Sequence, residues 1–156
     1  MINKNSNNKL EDIFPKHISD DFLFPLDNYL LFLEGLSINP SSFYREWSDI
    51  NRQYITNKYW KPNTKSDWKW SLSFPIFSLL EKYINTDNYP IILGFSGLPG
   101  SGKSTLGLWI DSVARELCID IKVISLDDFY LPGKEMEIAM NGNPWNVPRG
   151  FPGSHS

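Results

Sequence analysis

One cysteine, Cys118, occurs in a chain of 156 residues, which excludes an internal disulfide and fits a reducing compartment. It has no CxxC partner, and His17 and His155 are the only histidines, so a Cys/His metal centre is excluded as well. Basic clusters are also missing. A net charge of −3 and a pI near 5.3, with no Lys/Arg run interleaved with aromatics, argue against nucleic acid as a partner. No apolar run approaches the roughly 18 residues that a membrane span requires. Residues 1–12 are Asn-rich and carry two acids; they have neither the basic-then-apolar order of a signal peptide nor the Arg-rich character of a transit peptide. The expected location is the cytoplasm, away from membranes.

Aromatic side chains are plentiful, at 15% of the chain, and four of the six tryptophans precede residue 90. With 41% hydrophobic and 21% charged residues, the composition is that of a globular protein. Three regions follow. Residues 1–12 are polar and aperiodic, as in a disordered tip. Residues 13–89 form a helical leader. Pro25 opens a helix in which Leu26, Tyr29, Leu30, Leu33 and Leu36 recur at three- and four-residue spacing, and Gly35 and Asn39-Pro40 end it. Ser41 or Ser42 caps a second helix with Phe43, Trp47, Ile50 and Tyr54 on one face. Residues 61–69 (KPNTKSDWK) are turn-like, and a third helix starts near Phe74-Pro75 and runs to Ile84.

At residue 90 the pattern changes. Residues 90–95 (PIILGF) and 121–126 (IKVISL) are short apolar, β-branched runs of the kind expected of strands buried on both faces. Between them, Leu106, Trp109, Ile110, Val113, Ala114 and Leu117 have helical spacing. The expected fold class is α/β: residues 90–156 as the N-terminal portion of a P-loop NTPase-type parallel sheet, a right-handed βαβ unit preceded by the helical leader.

Residues 97–104 (GLPGSGKS) match G-x-x-x-x-G-K-[ST]. Glycines let successive backbone N–H groups curl toward phosphate oxygens, and the helix that follows adds its positive end. The nucleotide site is therefore read as Gly97, Leu98, Pro99, Gly100, Ser101, Gly102, Lys103, Ser104 and Thr105, with ATP and Mg²⁺ as cofactors. Lys103 reaches the β- and γ-phosphates, and the Ser104 hydroxyl ligates Mg²⁺.

After the second run stands Asp127-Asp128. In an open α/β sheet, ligands bind beyond the carboxyl ends of the strands, which would put both acids on the P-loop rim. One acid can accept the proton of a substrate hydroxyl and one can help hold Mg²⁺; residue order alone does not say which does which. Residues 143–156 (NPWNVPRGFPGSHS) add Arg149, a bidentate fork for a carboxylate or phosphate, and His155, a further donor.

Taken together, GLPGSGKS, SLDDFYLP and NPWNVPRGFPGSHS resemble the D-glycerate 3-kinases of plant and cyanobacterial type, in the P-loop kinase group that includes phosphoribulokinase, uridine kinase and pantothenate kinase. The resemblance covers residues 90–156 motif by motif. It implies transfer of the ATP γ-phosphoryl group to D-glycerate, giving 3-phosphoglycerate. It also implies Asp127 as catalytic base beside Lys103, Asp128 with Ser104 at the metal, and Arg149 and His155 at the substrate. A doubly wound domain needs about five strands and only two are visible, so a truncated or split chain is expected, with a second chain supplying the rest. The alternatives are a related kinase acting on uridine, pantothenate or a sugar phosphate, and a non-catalytic nucleotide-binding fragment.

Overall fold

The structure is a computed structural model that describes residue 14 and residues 25–86 and 91–142. The chain divides into two compact units, Met1–Ile121 and Lys122–Ser156. The reading of residues 1–12 as a disordered tip falls outside the described residues.

In the first unit, α1 (Leu26–Gly35) follows Pro25. It closes with Ser37 in the left-handed region (φ 56°), where Ile38 N–H reaches Leu33 O and Ser37 N–H reaches Glu34 O. Those paired bonds satisfy carbonyls that the helix end would leave open. The α2 helix (Pro40–Trp47) is capped by Asn39, whose side chain accepts from Ser42 N, rather than by a serine. The expected long second helix is in fact two. Asp49, in extended backbone, accepts from both Asn51 N and Arg52 N and starts α3 (Ile50–Lys58) as a separate helix. Ile50 and Tyr54, expected on the buried face, are consequently 79% and 76% exposed.

The third helical stretch begins earlier than its apolar spacing implied. A short α4 (Ser66–Trp68) passes through a π-helical turn (Lys69–Ser73) into α5 (Phe74–Ile84). The core is aromatic. Trp47 stacks on Phe74 at 4.2 Å, and Phe14, Tyr29, Phe43 and Trp70 pack largely edge to face around it. Arg52 of α3 lies 4.0 Å over the Trp47 ring and pairs with Glu46 of α2 and Glu81 of α5.

The buried Tyr29 hydroxyl donates to the Trp70 carbonyl, and burial holds this phenol above its ordinary value of 10.0. A group raised in the folded state contributes stability that is complete below its unfolded pKa and is lost as pH climbs past it. Stability measured by denaturant unfolding should therefore fall between pH 9 and pH 11 by more in the wild type than in Tyr29→Phe. Equal losses in the two proteins would show that Tyr29 titrates as an exposed tyrosine does.

The helix after the glycine-rich turn forms as expected. It is α6 (Lys103–Glu116), with Leu106, Trp109, Ile110, Val113 and Ala114 buried. It ends on Cys118 in the left-handed region (φ 55°), where Ile119 N–H reaches Ala114 O at 2.8 Å. Its covering, however, is not a sheet. Trp109 stacks on Trp60 at 4.5 Å, meets Phe77 edge to face and donates its indole N–H to Thr56 O at 3.2 Å. The leader occupies the apolar face that parallel strands would have covered.

The expected α/β class is thereby corrected: among the described residues there is no strand and no sheet. Residues 91–98 and 121–125 are irregular. No backbone hydrogen bond joins residues 91–96 to another described residue, and Ile92 is 91% exposed. A strand is stable only when a neighbour takes up its N–H and C=O groups. The βαβ unit lacks that pairing here, and α6 docks on helices instead. In the second unit, a 3₁₀ turn (Leu126–Phe129) precedes α7 (Gly133–Ala139). Among the described residues no helix is long and apolar enough to cross a membrane.

Candidate functional site

The glycine-rich turn links residues 91–96 to α6. Gly100 (φ 77°) and Gly102 (φ 87°) both take left-handed backbone, which side-chain-bearing residues rarely adopt. Ser101 N–H closes the turn on Leu98 O at 3.2 Å. Gly97 is tight for a second reason: a Cβ there would meet Ser101 Oγ at 3.0 Å.

Gly102 occupies the N-cap of α6, so no side chain caps this helix, unlike α2 and α3. The first intrahelical bond runs from Leu106 N–H to Gly102 O. Lys103, Ser104 and Thr105 consequently present backbone N–H groups that no described residue accepts, at the positive end of a 14-residue helix. Such a terminus favours an anion.

The Lys103 ammonium is exposed and folds back onto the turn, donating to Gly97 O at 2.7 Å and Leu98 O at 2.8 Å. It uses two of its three donors there and holds its charge over the loop. Ser104 is exposed on the first turn of α6, and its hydroxyl has no hydrogen bond to a described residue. Leu98 is 79% exposed, and Pro99 lies on the rim of the turn beside it.

Asp127 and Asp128 belong to the second unit. Ser125 orders their backbone: its hydroxyl accepts from Asp127 N at 3.3 Å and its carbonyl from Asp128 N at 3.1 Å. Both residues are exposed, and neither carboxylate is ion-paired to a described residue. The expectation that a strand pair would hold them on the P-loop rim loses its basis, because that pair does not form among the described residues. Arg149 and His155 lie outside the described residues. No group of three His, Cys, Asp or Glu side chains suited to a metal occurs among the described residues.

Sequence reasoning missed Trp68. It assigned this residue to a polar turn, whereas α4 carries its indole to Gly102: a Cβ built on that glycine would lie 2.9 Å from Trp68 Cη2 and 3.1 Å from Cζ2. The signal was local and short, a Ser-Asp helix start directly before an aromatic residue.

Over 83 residues, 51% of its length, the chain is 41% identical to a protein of Schizosaccharomyces pombe (strain 972) named "Uncharacterized kinase mug58". It spans 30% of that relative's length. No family model matches the chain, and no solved structure matches it.

Proposed function

We propose that this chain carries the MgATP-binding part of a small-molecule kinase whose acceptor is D-glycerate. The observation that carries the reading is the uncapped N-terminus of α6, set behind two left-handed glycines with Lys103 over the turn. Similarity to a protein named a kinase supports phosphoryl transfer. The tail motif with Arg149 and His155 supports a carboxylate acceptor.

On this reading the N–H groups of Lys103, Ser104 and Thr105 cradle the phosphates, and the Lys103 ammonium moves from the loop carbonyls to the phosphate oxygens. Ser104 and Asp128 would hold magnesium, which supplies charge neutralisation on the phosphates. A glycerate hydroxyl oxygen bonds to the γ-phosphorus as the bond from that phosphorus to the bridging oxygen breaks. ADP leaves, and the hydroxyl proton passes to the Asp127 carboxylate. Arg149 and His155 grip the glycerate carboxylate, and the product is 3-phosphoglycerate.

The absence of strands among the described residues favours a second reading, a nucleotide-binding module without turnover. Incubation with MgATP and D-glycerate, uridine or pantothenate, with product followed by mass, separates the two. Phosphorylation of D-glycerate ahead of the other alcohols is expected. Preference for another alcohol would replace the acceptor, and nucleotide binding with no product would favour the module.

A further inference from the structure

Residues two apart on a helix point to nearly opposite sides, at about 100° per residue. Trp70 turns into the leader core, stacking on Tyr44 at 5.7 Å and meeting Phe74 edge to face. Trp68 is directed the other way, onto Gly102. Its backbone is tied at both ends: its N–H donates to Asp67 Oδ1 at 2.7 Å, and its carbonyl accepts from Ser73 Oγ across the π turn at 3.1 Å. Extra turns of this type recur at functional positions in helices.

The partner of Trp68 is the residue that matters most to the geometry of the loop. Gly102 holds left-handed backbone at the junction of turn and helix, and its rotation aims the N–H groups of Lys103, Ser104 and Thr105. An aromatic edge packed against its Cα leaves that junction little room to swing. The loop is otherwise exposed, held by the Lys103 bonds to Gly97 O and Leu98 O and by Ser101 N–H on Leu98 O.

From this contact we infer that Trp68 is a positioning residue for the phosphate loop, an aromatic clamp that fixes Gly102 so that the α6 amides converge on a phosphate. The inference deepens the nucleotide-binding reading and rests on it for its functional consequence. Orienting the amides before binding spares the ordering cost when ligand arrives, and small misplacements of such groups are expensive.

Two measurements on the whole chain test it: backbone ¹⁵N order parameters over residues 97–105 without nucleotide, and MgATP affinity, each for wild type, Trp68→Ala and Trp68→Phe. Trp68→Ala should lower the order parameters of the loop while leaving those of α1 and α2 unchanged, and should weaken MgATP binding on the order of tenfold. Trp68→Phe, which keeps an aromatic edge, should recover most of both. If Trp68→Ala unfolds the chain, Trp68→Phe and Trp68→Leu carry the comparison, with the loop more ordered in Phe than in Leu. Loop order that is indifferent to residue 68 overturns the clamp, whatever the affinity. A wild type that fails to bind MgATP overturns the nucleotide reading instead, whatever the loop order.

Discussion

Lys103→Ala should weaken MgATP binding by about tenfold to a hundredfold, since a hydrogen bond to a charged group contributes about 1.5–3 kcal/mol, and should leave the fold intact. The two halves of this expectation have different physical origins. The Lys103 ammonium is exposed, and its bonds to Gly97 O and Leu98 O replace bonds that water would otherwise make. Removing it therefore costs the folded chain about 1 kcal/mol or less. Toward a polyphosphate the same ammonium is a full charge set over the loop. Lys103→Arg should not restore affinity, since a planar fork cannot thread the tight turn that a point charge on a thin stem occupies. Equilibrium titration with MgATP, beside circular dichroism of each variant, measures both halves. Wild-type affinity in Lys103→Ala would remove the phosphate site from this turn.

What could be read from the sequence divides by the range of the interaction. The α6 helix was legible because Leu106, Trp109, Ile110 and Val113 repeat at the helical period, and the turn before it because glycine alone is at ease at Gly100 and Gly102. The strands were misread for the converse reason. Apolar, β-branched runs at residues 90–95 and 121–126 describe what a strand wants, not whether a neighbour is present to pair with it. The docking of Trp109 on Trp60 is a contact between residues 49 apart in sequence, and no local pattern encodes it. Asp49 shows the same limit at short range: its cap divides what spacing alone joined into one helix. For the candidate site, the conformation of the glycine-rich turn is set by consecutive residues, so its positions could be named from sequence. The roles of Asp127, Asp128 and Arg149 depend on where a substrate sits, and a string of residues does not carry that information.

Trp109→Ala should be the most damaging single change to the fold, lowering the unfolding free energy by about 3–5 kcal/mol. Trp109 is 2% exposed and is the side chain through which α6 meets the leader. It touches Trp60, Phe77, Phe74 and Trp47 in turn. Truncation leaves a cavity between rigid rings that cannot collapse to fill it, and it strips the Thr56 carbonyl of its indole donor. Trp109→Phe should recover the packing but not that hydrogen bond, and so lose roughly 1–2 kcal/mol. Tyr54→Ala is the matched control: an aromatic residue of the same leader, placed on a buried face by spacing alone but 76% exposed, it should change stability by less than about 0.5 kcal/mol. Urea unfolding followed by far-ultraviolet circular dichroism ranks the three. If Trp109→Ala proved as mild as Tyr54→Ala, α6 would not be anchored on the leader. That order also bears on the glycine-rich turn, because Gly102 caps, and Lys103 begins, the helix that Trp109 holds in place. A chain with Trp109 truncated should bind MgATP weakly under conditions where its helices persist, a loss shared with Trp68→Ala but reached through the opposite end of the contact between leader and α6.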